Sequence, residues 1–309
     1  MIPYTLKYVH PAIHFLQVAK KSWTLRGEWI NSVKNTLVKY LLLQHALLNY
    51  VTEITFMAKK SRWLHIGLLL TLAVYSYTYA DCPLLTYGTL ETVARVVDGD
   101  TLHLTNGTKV RLAGINTPEI SRGSQPDEPN AMNAKDLLER ILTLHGNEIR
   151  LESTKKPQDH YGRLVAHTYT KNGLNIQEEI LRKGLAFGYA HPPNLEHLEC
   201  YRAAETLARQ QKLGLWNSSP LNANETINKT KGFARVTGKV QNINRTKKEI
   251  WIDLGTNLSL RIAKEDFTWF KNFDFSKLSG KNLEVRGYLH THEEKLQMRL
   301  RHPAYIYIN

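Results

Sequence analysis

Apolar residues follow a period of two in several short segments, which predicts β-strands. TVARVVDGDTLHLT (92–105) contains a D-G-D turn, and TNGTKVRLAGI (105–115) contains an Asn-Gly turn between two runs, a strong hairpin signal. NEIRLES (147–153) and RLVAHTYT (163–170) are strand-like and flank the polar loop TKKPQDHYG. These segments predict a β-rich unit of about five strands.

Helical spacing appears between and after these strands. AMNAKDLLERILTL (131–144) has apolar residues at helical intervals and Gly146 just past its end, and LNIQEEILRKG is a second helix that Gly184 closes. A longer helix is predicted within 194–216. Strands, a helix, strands and two helices together indicate a small barrel with appended helices.

The chain becomes mostly β again after residue 232. Residues 217–232 are rich in Asn, Thr and Ser and lack apolar periodicity, so we assign them to a linker. About five strand-like segments follow in 233–309, which fits a second small β-barrel, with the oligonucleotide-binding (OB) type as one candidate. Its basic and aromatic residues could bind single-stranded nucleic acid by charge and stacking. In most β-barrels, however, such basic residues are ordinary surface charge and such aromatic residues belong to the core. The expected fold class is α+β, mainly β with helices.

The chain has 309 residues, 42% of them hydrophobic, a formal charge of +13 and a pI near 9.6. This excess permits a polyanionic partner such as nucleic acid. Residues 57–80 have the layout of a secretory signal, with a basic start, an apolar run and small residues before Asp81. Residues 1–56 are interpreted either as an upstream extension of the protein or as sequence that precedes the true start at Met57. The protein is then secreted or periplasmic, or else a membrane protein that 63–80 anchors.

Cys82 and Cys200 are the two cysteines of the chain, and both follow the predicted cleavage point. An oxidising compartment permits one disulfide between them, and two free thiols are the alternative. The sequence indicates no obligate protein partner, and it indicates a membrane partner only if the signal is not cleaved.

Three polar clusters share the first β-rich unit. In VVDGDT, Asp98 and Asp100 flank Gly99, and two carboxylates this close repel each other unless a cation or hydrogen bonds offset them. A hard divalent ion such as Ca²⁺ binds carboxylate, amide and carbonyl oxygens. An ordinary Asp-Gly turn is the alternative interpretation of this cluster taken alone.

The second cluster is RLAGINTPE (111–119). We expect residues 111, 113 and 115 to share one face of a strand. Asn116 offers an amide oxygen and Thr117 a backbone carbonyl, and Glu119 follows the Asn-Thr-Pro break. The third cluster is DHYGR (159–163), whose arginine a barrel could bring opposite the first one.

Two arginines, a pair of acids and a free glutamate are the parts that phosphodiester hydrolysis requires. Guanidinium groups bind phosphate oxygens in a planar, bidentate manner, and a metal ion offsets developing charge. A carboxylate can orient or deprotonate the attacking water. The three clusters together therefore indicate a phosphodiesterase more strongly than any one of them.

In order and spacing, VVDGDT, RLAGINTPE and DHYGR resemble the staphylococcal nuclease (thermonuclease) family, and the later GLA, AAETLAR and GLW match it too. The resemblance covers about 90–216. The signal and the C-terminal β-domain are similar to a bacterial, secreted branch of the family. It implies a five-stranded OB barrel with helices over 81–216, and calcium-dependent endonucleolytic cleavage of DNA and RNA, with single strands favoured, that leaves 3′-phosphates.

The resemblance also implies roles, residue by residue. Arg111 and Arg163 would bind the phosphate, and Glu119 would act on the water. The calcium ligands would be Asp100, Asn116 and the Thr117 carbonyl. Asp98 would contact these ligands and not the ion itself. Residues expected near the substrate are His160, Tyr161 and Tyr189.

This chain departs from the family pattern at several positions. Asn116 stands where the family usually has Asp, and His160 stands where a lysine often precedes Tyr-Gly-Arg. Tyr189, with His191 nearby, represents at most one member of a tyrosine pair that lines the nucleotide pocket. The alternatives to an enzyme are a non-catalytic nucleic-acid-binding module and a membrane-anchored adaptor of the same fold. Degenerate modules lack the two arginines and the glutamate, and this chain keeps all three.

Overall fold

The computed structural model describes residues 82–85, 88–121, 123–124, 126–225, 232–292 and 295–308. The predicted extension (1–56) and signal or anchor (57–80) lie outside the described residues. Within the described part of the chain, no helix is long and apolar enough to cross a membrane.

The first part of the described chain contains seven strands and three α-helices. In chain order they are β1 (Thr89–Asp98), β2 (Thr101–Leu104), β3 (Lys109–Leu112), β4 (Ile115–Asn116), α1 (Ala131–Leu144), β5 (Glu148–Gln158), β6 (Leu164–Thr170), α2 (Ile176–Arg182), β7 (Phe187–Gly188) and α3 (Leu198–Gln210).

Five of these strands close into a barrel in the order β1-β2-β3-β6-β5. The β3–β6 pair is parallel and the others are antiparallel. The predicted Asn-Gly turn joins β2 to β3, where Gly107 has φ 86° and the Asn106 side chain accepts a hydrogen bond from the Thr108 N–H at 2.9 Å. The predicted barrel with appended helices is confirmed.

Helices α1 and α3 each bury one face, as their spacing predicts, whereas the short helix α2 is mostly buried. On α1 the buried residues recur at three- and four-residue intervals, and the helix packs against β1. Gly146 follows its end with φ 72°. Gly184 follows α2 with φ 69°, and a Cβ there would lie 2.4 Å from the Leu213 carbonyl oxygen, so this position requires glycine.

One local prediction was wrong. Residues 111, 113 and 115 do not share one strand, because β3 ends at Leu112 and Gly114 takes φ 76°. The ring of Tyr201 lies 2.6 Å from the place where a Cβ of Gly114 would be. The chain therefore turns out of the barrel here, and β4 pairs with β7 instead.

The later part of the described chain contains seven strands. They are β8 (Leu221–Asn222), β9 (Gly232–Arg245), β10 (Glu249–Leu254), β11 (Leu258–Ala263), β12 (Asn282–His292), β13 (Lys295–Arg299) and β14 (Ile306–Ile308). The 3₁₀ turns are Gly214–Asn217, Lys264–Phe270, Phe275–Leu278 and Pro303–Tyr305. Strand β8 lies within the predicted linker and pairs in parallel with β9, so this part of the linker belongs to the sheet.

Five of these strands, β9 to β13, close a second barrel, because β12 pairs with both β13 and β9. Counted along the chain, the two barrels have the same strand order, 1-2-3-5-4, and the third and fifth strands are parallel in each. This is the connectivity of an OB barrel, so the α+β class with two such barrels is confirmed.

The two barrels belong to one compact unit, Ala80–Asn309. Arg286 of β12 donates two hydrogen bonds, of 2.5 and 2.7 Å, to the carboxylate of Glu205 on α3, and both side chains are 2% exposed. The Gly188 N–H and the Tyr307 hydroxyl also donate to this carboxylate. A buried charge pair with further donors fixes the second barrel on the first.

The predicted disulfide joins Cys82 to Cys200, with the two Cα atoms 5.5 Å apart. It attaches the segment before β1 to α3. The Cys82 N–H donates to the Glu178 carboxylate at 2.9 Å, and the Tyr169 hydroxyl donates to the Pro83 carbonyl at 3.1 Å. The ordered segment is therefore held by covalent and polar contacts together.

Candidate active site

The acidic turn lies between β1 and β2. Asp98 is 9% and Asp100 3% exposed, and the Asp100 N–H donates to Asp98 Oδ1 at 3.0 Å. A Cβ at Gly99 would lie 2.6 Å from the Ala134 Cβ and 2.8 Å from the Thr117 Cγ2, so only glycine fits between the turn and its neighbours. The turn is packed from both sides, which fixes its two carboxylates in place.

Arg111 connects the acidic turn to the end of β4. Its Nη2 atom lies 3.0 Å from Asp100 Oδ2 and donates to Asn116 Oδ1 at 3.2 Å, and its Nη1 donates to the Leu112 carbonyl at 2.8 Å. The Thr117 N–H donates to the same Asp100 Oδ2 at 2.8 Å. The first two sequence clusters therefore meet at one guanidinium group.

Arg163 brings the third cluster to the same place. Its Nη1 donates to the Thr101 hydroxyl at 3.4 Å, and Thr101 pairs with Arg111 in the β2–β3 register. Its Nε donates to Asp159 Oδ2 at 2.7 Å. Burial alone would raise the pKa of Asp159, but hydrogen bonds from the Arg163 side chain and from backbone N–H groups lower it below its usual value. Two guanidinium groups thus border the acidic turn.

Glu119 lies at the exposed edge of this cluster. Its backbone is fixed to Glu128, because the Glu119 N–H donates to the Glu128 carboxylate at 2.9 Å and the Glu128 N–H donates back to the Glu119 carbonyl at 3.0 Å. Packing around the carboxyl raises the pKa of Glu119, and the carboxylates of Asp100 and Asp98 raise it further against the opposing effect of Arg111. A carboxylate with a raised pKa is better suited to accept a proton near neutral pH.

The oxygen groups around the turn fit a hard cation. Burial, followed by repulsion from the neighbouring Asp100 carboxylate, raises the pKa of Asp98, and a bound cation would favour the ionised form of both carboxylates. The buried Thr117 hydroxyl has no hydrogen-bond partner among the described residues. Carboxylate, amide and hydroxyl or carbonyl oxygens are the ligands that Ca²⁺ prefers. A positive nitrogen, Arg111 Nη2, already lies between the oxygens of Asp100 and Asn116.

The residues expected near the substrate lie in two environments. His160 and Tyr161 are exposed on the β5–β6 loop, with ring centroids 3.7 Å apart, and the Arg163 guanidinium lies 5.4 Å from the Tyr161 ring. Tyr189 is partly buried, and its ring stacks on His191 with centroids 5.5 Å apart. Tyr161 is therefore beside the arginine cluster, whereas Tyr189 follows β7 at the junction of the two barrels.

Sequence reasoning missed one residue that touches this cluster. The Tyr288 hydroxyl, on β12 of the second barrel, donates to Asn116 Oδ1 at 3.0 Å. The Asn116 oxygen thus accepts two hydrogen bonds, one from Tyr288 and one from Arg111. No local pattern could have identified this contact, because its two residues lie 172 positions apart on separate barrels.

The family model that describes staphylococcal nuclease homologues matches residues 109–218. The family match covers β3 and the rest of the first barrel with its helices, and it begins after β1, β2 and the acidic turn between them. Thermonuclease of Staphylococcus hyicus is 31% identical over 129 residues, which span 41% of this chain and 75% of that protein. Endonuclease YncB of Bacillus subtilis (strain 168) is 32% identical over 142 residues, or 44% of this chain and 66% of that protein.

Another relative shows a similar sequence identity over a shorter stretch of residues. The probable endonuclease LCL3 of Phaeosphaeria nodorum is 33% identical over 113 residues, or 35% of this chain and 37% of that protein. The family match includes Arg111, Glu119 and Arg163, and it ends before β9, the first strand of the second barrel. On this evidence the chain belongs to the family of staphylococcal nuclease homologues.

Proposed function

We propose that this chain is a calcium-dependent endonuclease that hydrolyses phosphodiester bonds of DNA and RNA and leaves 3′-phosphates. The observation that carries the proposal is the position of two arginines and one glutamate around a buried acidic turn. Arg111 reaches Asp100 and Asn116, Arg163 reaches Thr101, and Glu119 lies in the field of the two aspartates. These side chains match the requirements of phosphoryl transfer to water.

The residues that would hold calcium are Asp100, Asn116 and Thr117, with Asp98 orienting Asp100 through its hydrogen bond to the backbone. The ion, when bound, supplies positive charge that offsets the charge of the phosphate. Binding there requires Arg111 or Tyr288 to release the Asn116 oxygen, because both side chains donate to it.

Arg111 and Arg163 would bind the phosphate of the substrate. Each is paired with a carboxylate, Asp100 and Asp159 respectively, which holds the guanidinium in position before the substrate arrives. The planar fork of arginine matches two phosphate oxygens and stabilises the additional charge of the five-coordinate transition state.

Glu119 would orient the attacking water and accept its proton. Its raised pKa favours this transfer, because the proton affinity of the carboxylate is greater than that of an ordinary glutamate. The water oxygen forms a bond to phosphorus, and the bond from phosphorus to the 5′ oxygen breaks. The 5′ oxygen takes up a proton from solvent and Glu119 later releases its proton to solvent, so the products are a 3′-phosphate and a 5′-hydroxyl.

The experiment that tests this function uses purified protein and a labelled single-stranded DNA. Cleavage with calcium that stops on addition of a chelator and returns with excess calcium supports the proposal. End-group analysis of the products should show 3′-phosphates. Cleavage that is indifferent to the chelator contradicts the metal requirement, and binding without cleavage supports the non-catalytic module instead.

We further propose that the protein is secreted or periplasmic, with anchoring by residues 63–80 as the alternative. The Cys82–Cys200 disulfide supports an oxidising compartment, because such bonds are rare where thiols are kept reduced. N-terminal sequencing of the protein recovered from cells is the test. A mature start at Asp81 supports cleavage, and a start at or before Met57 in the membrane fraction supports the anchor.

A further inference from the structure

The ring of Tyr288 is held at the junction of the two barrels, beside the candidate active site. Its hydroxyl donates to Asn116, and its ring meets those of Phe233 and Tyr189 at nearly right angles, with centroids 5.3 and 6.4 Å apart. Despite these contacts, 46% of the residue is exposed. The ring is therefore fixed in orientation and open to a ligand.

Cations of both barrels act on His191, whose ring stacks on Tyr189, the neighbour of Tyr288. Burial, and then the cations Arg301, Lys156, Arg299 and Arg111, lower the pKa of His191 to about 4. Arg111 and Arg299 have carboxylate partners, at Asp100 and at Glu265 and Asp266. Arg301 and Lys156 have no ion pair with another described residue. A polyanion at this position would therefore meet cations that are not yet neutralised.

An aromatic ring beside cations is the combination that binds single-stranded nucleic acid. Bases stack on aromatic side chains regardless of sequence, and the cations follow the phosphates. The path is continuous with the candidate active site, because Tyr288 and Arg111 donate to the same Asn116 oxygen. A strand whose phosphate lies at Arg111 would thus place a neighbouring base within reach of the second barrel.

We propose that the second barrel extends the substrate-binding surface, where Tyr288 stacks on a base of a single-stranded nucleic acid and Arg301 binds a neighbouring phosphate. This rests on the proposed function only in that the adjacent site accepts nucleic acid. The second barrel is then part of the substrate-binding surface of the enzyme, and it contributes to affinity before any bond is broken.

Two substitutions separate stacking from the other contacts of Tyr288. Tyr288→Phe keeps the aromatic ring and removes the hydrogen bond to Asn116. Tyr288→Leu keeps apolar packing against Phe233 and removes the aromatic face. Arg301→Ala removes the cation, and Lys248→Ala, an exposed cation in the β9–β10 turn, is its matched control.

The measurement is fluorescence anisotropy of labelled oligothymidylate with the full chain carrying Glu119→Gln, in calcium, so that binding is read without cleavage. We expect Tyr288→Phe to bind within about twofold of the parent and Tyr288→Leu to bind roughly 5- to 150-fold more weakly. Arg301→Ala should reduce the slope of log affinity against log salt concentration by about one, the value expected for the loss of one phosphate contact. Lys248→Ala should leave this slope unchanged. Equal thermal midpoints for the variants show that the barrels remain folded.

The outcomes separate this proposal from the proposed function. Equal affinity of Tyr288→Leu and the parent overturns the stacking role, and so does an equal loss in Tyr288→Phe and Tyr288→Leu, which would assign the effect to the hydroxyl. If Tyr288→Leu does not fold, the salt dependence of binding by Arg301→Ala decides the question. An unchanged slope of log affinity against log salt would overturn the proposal that the second barrel binds the substrate. If the wild-type protein binds nucleic acid through Tyr288 and never cleaves it, the proposed nuclease activity is contradicted and the binding role of the second barrel is retained.

Discussion

The Tyr288 hydroxyl donates to the Asn116 amide oxygen at 3.0 Å, across the junction of two barrels. Arg111 donates to the same oxygen at 3.2 Å. A neutral amide therefore occupies the position at which two donors converge beside the acidic turn. If Asn116 is also a calcium ligand, its oxygen exchanges one of these donors for the ion, and the site binds calcium with one negative charge fewer than an aspartate would give.

Asn116→Asp tests this consequence. A carboxylate keeps the oxygen and adds charge, and calcium affinity depends on ligand charge, so the calcium concentration for half-maximal cleavage should fall by on the order of tenfold. The measurement is a calcium titration of the cleavage rate. An unchanged midpoint would show that residue 116 is not a ligand.

Asp98→Asn tests the origin of the raised pKa of Glu119. The Asp98 carboxylate raises that pKa, so its neutralisation should lower it, whereas the amide can still accept the hydrogen bond from the Asp100 backbone. Activity requires ionised Glu119, and the acid limb of the kcat/KM profile should therefore move to lower pH. Asp136→Asn, at an exposed position on α1, is the control and should leave the limb in place. A limb that stays fixed or moves upward in Asp98→Asn contradicts the assignment.

Arg286→Met tests the attachment of the second barrel. The substitution leaves the buried Glu205 carboxylate without its main partner, which should lower the free energy of unfolding by about 3–5 kcal/mol. Arg202→Met is a matched control, because Arg202 pairs with Glu199 at the surface and should contribute less than about 1 kcal/mol. Urea unfolding of both variants provides the comparison. Equal losses would mean that the buried pair does not hold the barrels together.

Removal of the disulfide should also cost stability. Cys82 and Cys200 are 118 residues apart, and in the chain-entropy model a loop of this size contributes about 4–5 kcal/mol to the free energy of unfolding. The measurement compares urea unfolding of the oxidised protein with that of the Cys82→Ser/Cys200→Ser variant. A difference below about 1 kcal/mol would show that the polar contacts of the N-terminal segment suffice without the bond.

Much of the first barrel could be predicted from the sequence because its signals are local. The Asn-Gly turn at 106–107 and the glycines after α1 and α2 each act within a few residues, and the structure places them as expected. The expectation that a barrel could bring Arg163 opposite Arg111 agrees with the contact of Arg163 to Thr101, which pairs with Arg111. The roles of these residues in catalysis remain predictions.

The contacts between the barrels could not be predicted in this way. Arg286 and Glu205 are 81 positions apart, and their sequence neighbourhoods give no sign that either charge is buried. Tyr288 lies in a strand whose sequence alternates between apolar and polar residues in the way usual for a strand, so nothing marks this tyrosine as a contact between barrels. The end of β3 was missed for a related reason, because the ring of Tyr201, from a helix far along the chain, requires the turn at Gly114. The boundary between the two domains within 217–232 stays a prediction.

The most direct test of the account is the single-turnover rate of cleavage by the Glu119→Gln variant at saturating protein and calcium. Glutamine keeps the shape of the side chain and cannot accept the proton of the attacking water. We predict that the rate falls by about 10²–10⁴-fold while oligonucleotide affinity is retained, and that Glu139→Gln, at an exposed position on α1, cleaves at the normal rate. A normal rate in Glu119→Gln would contradict the account.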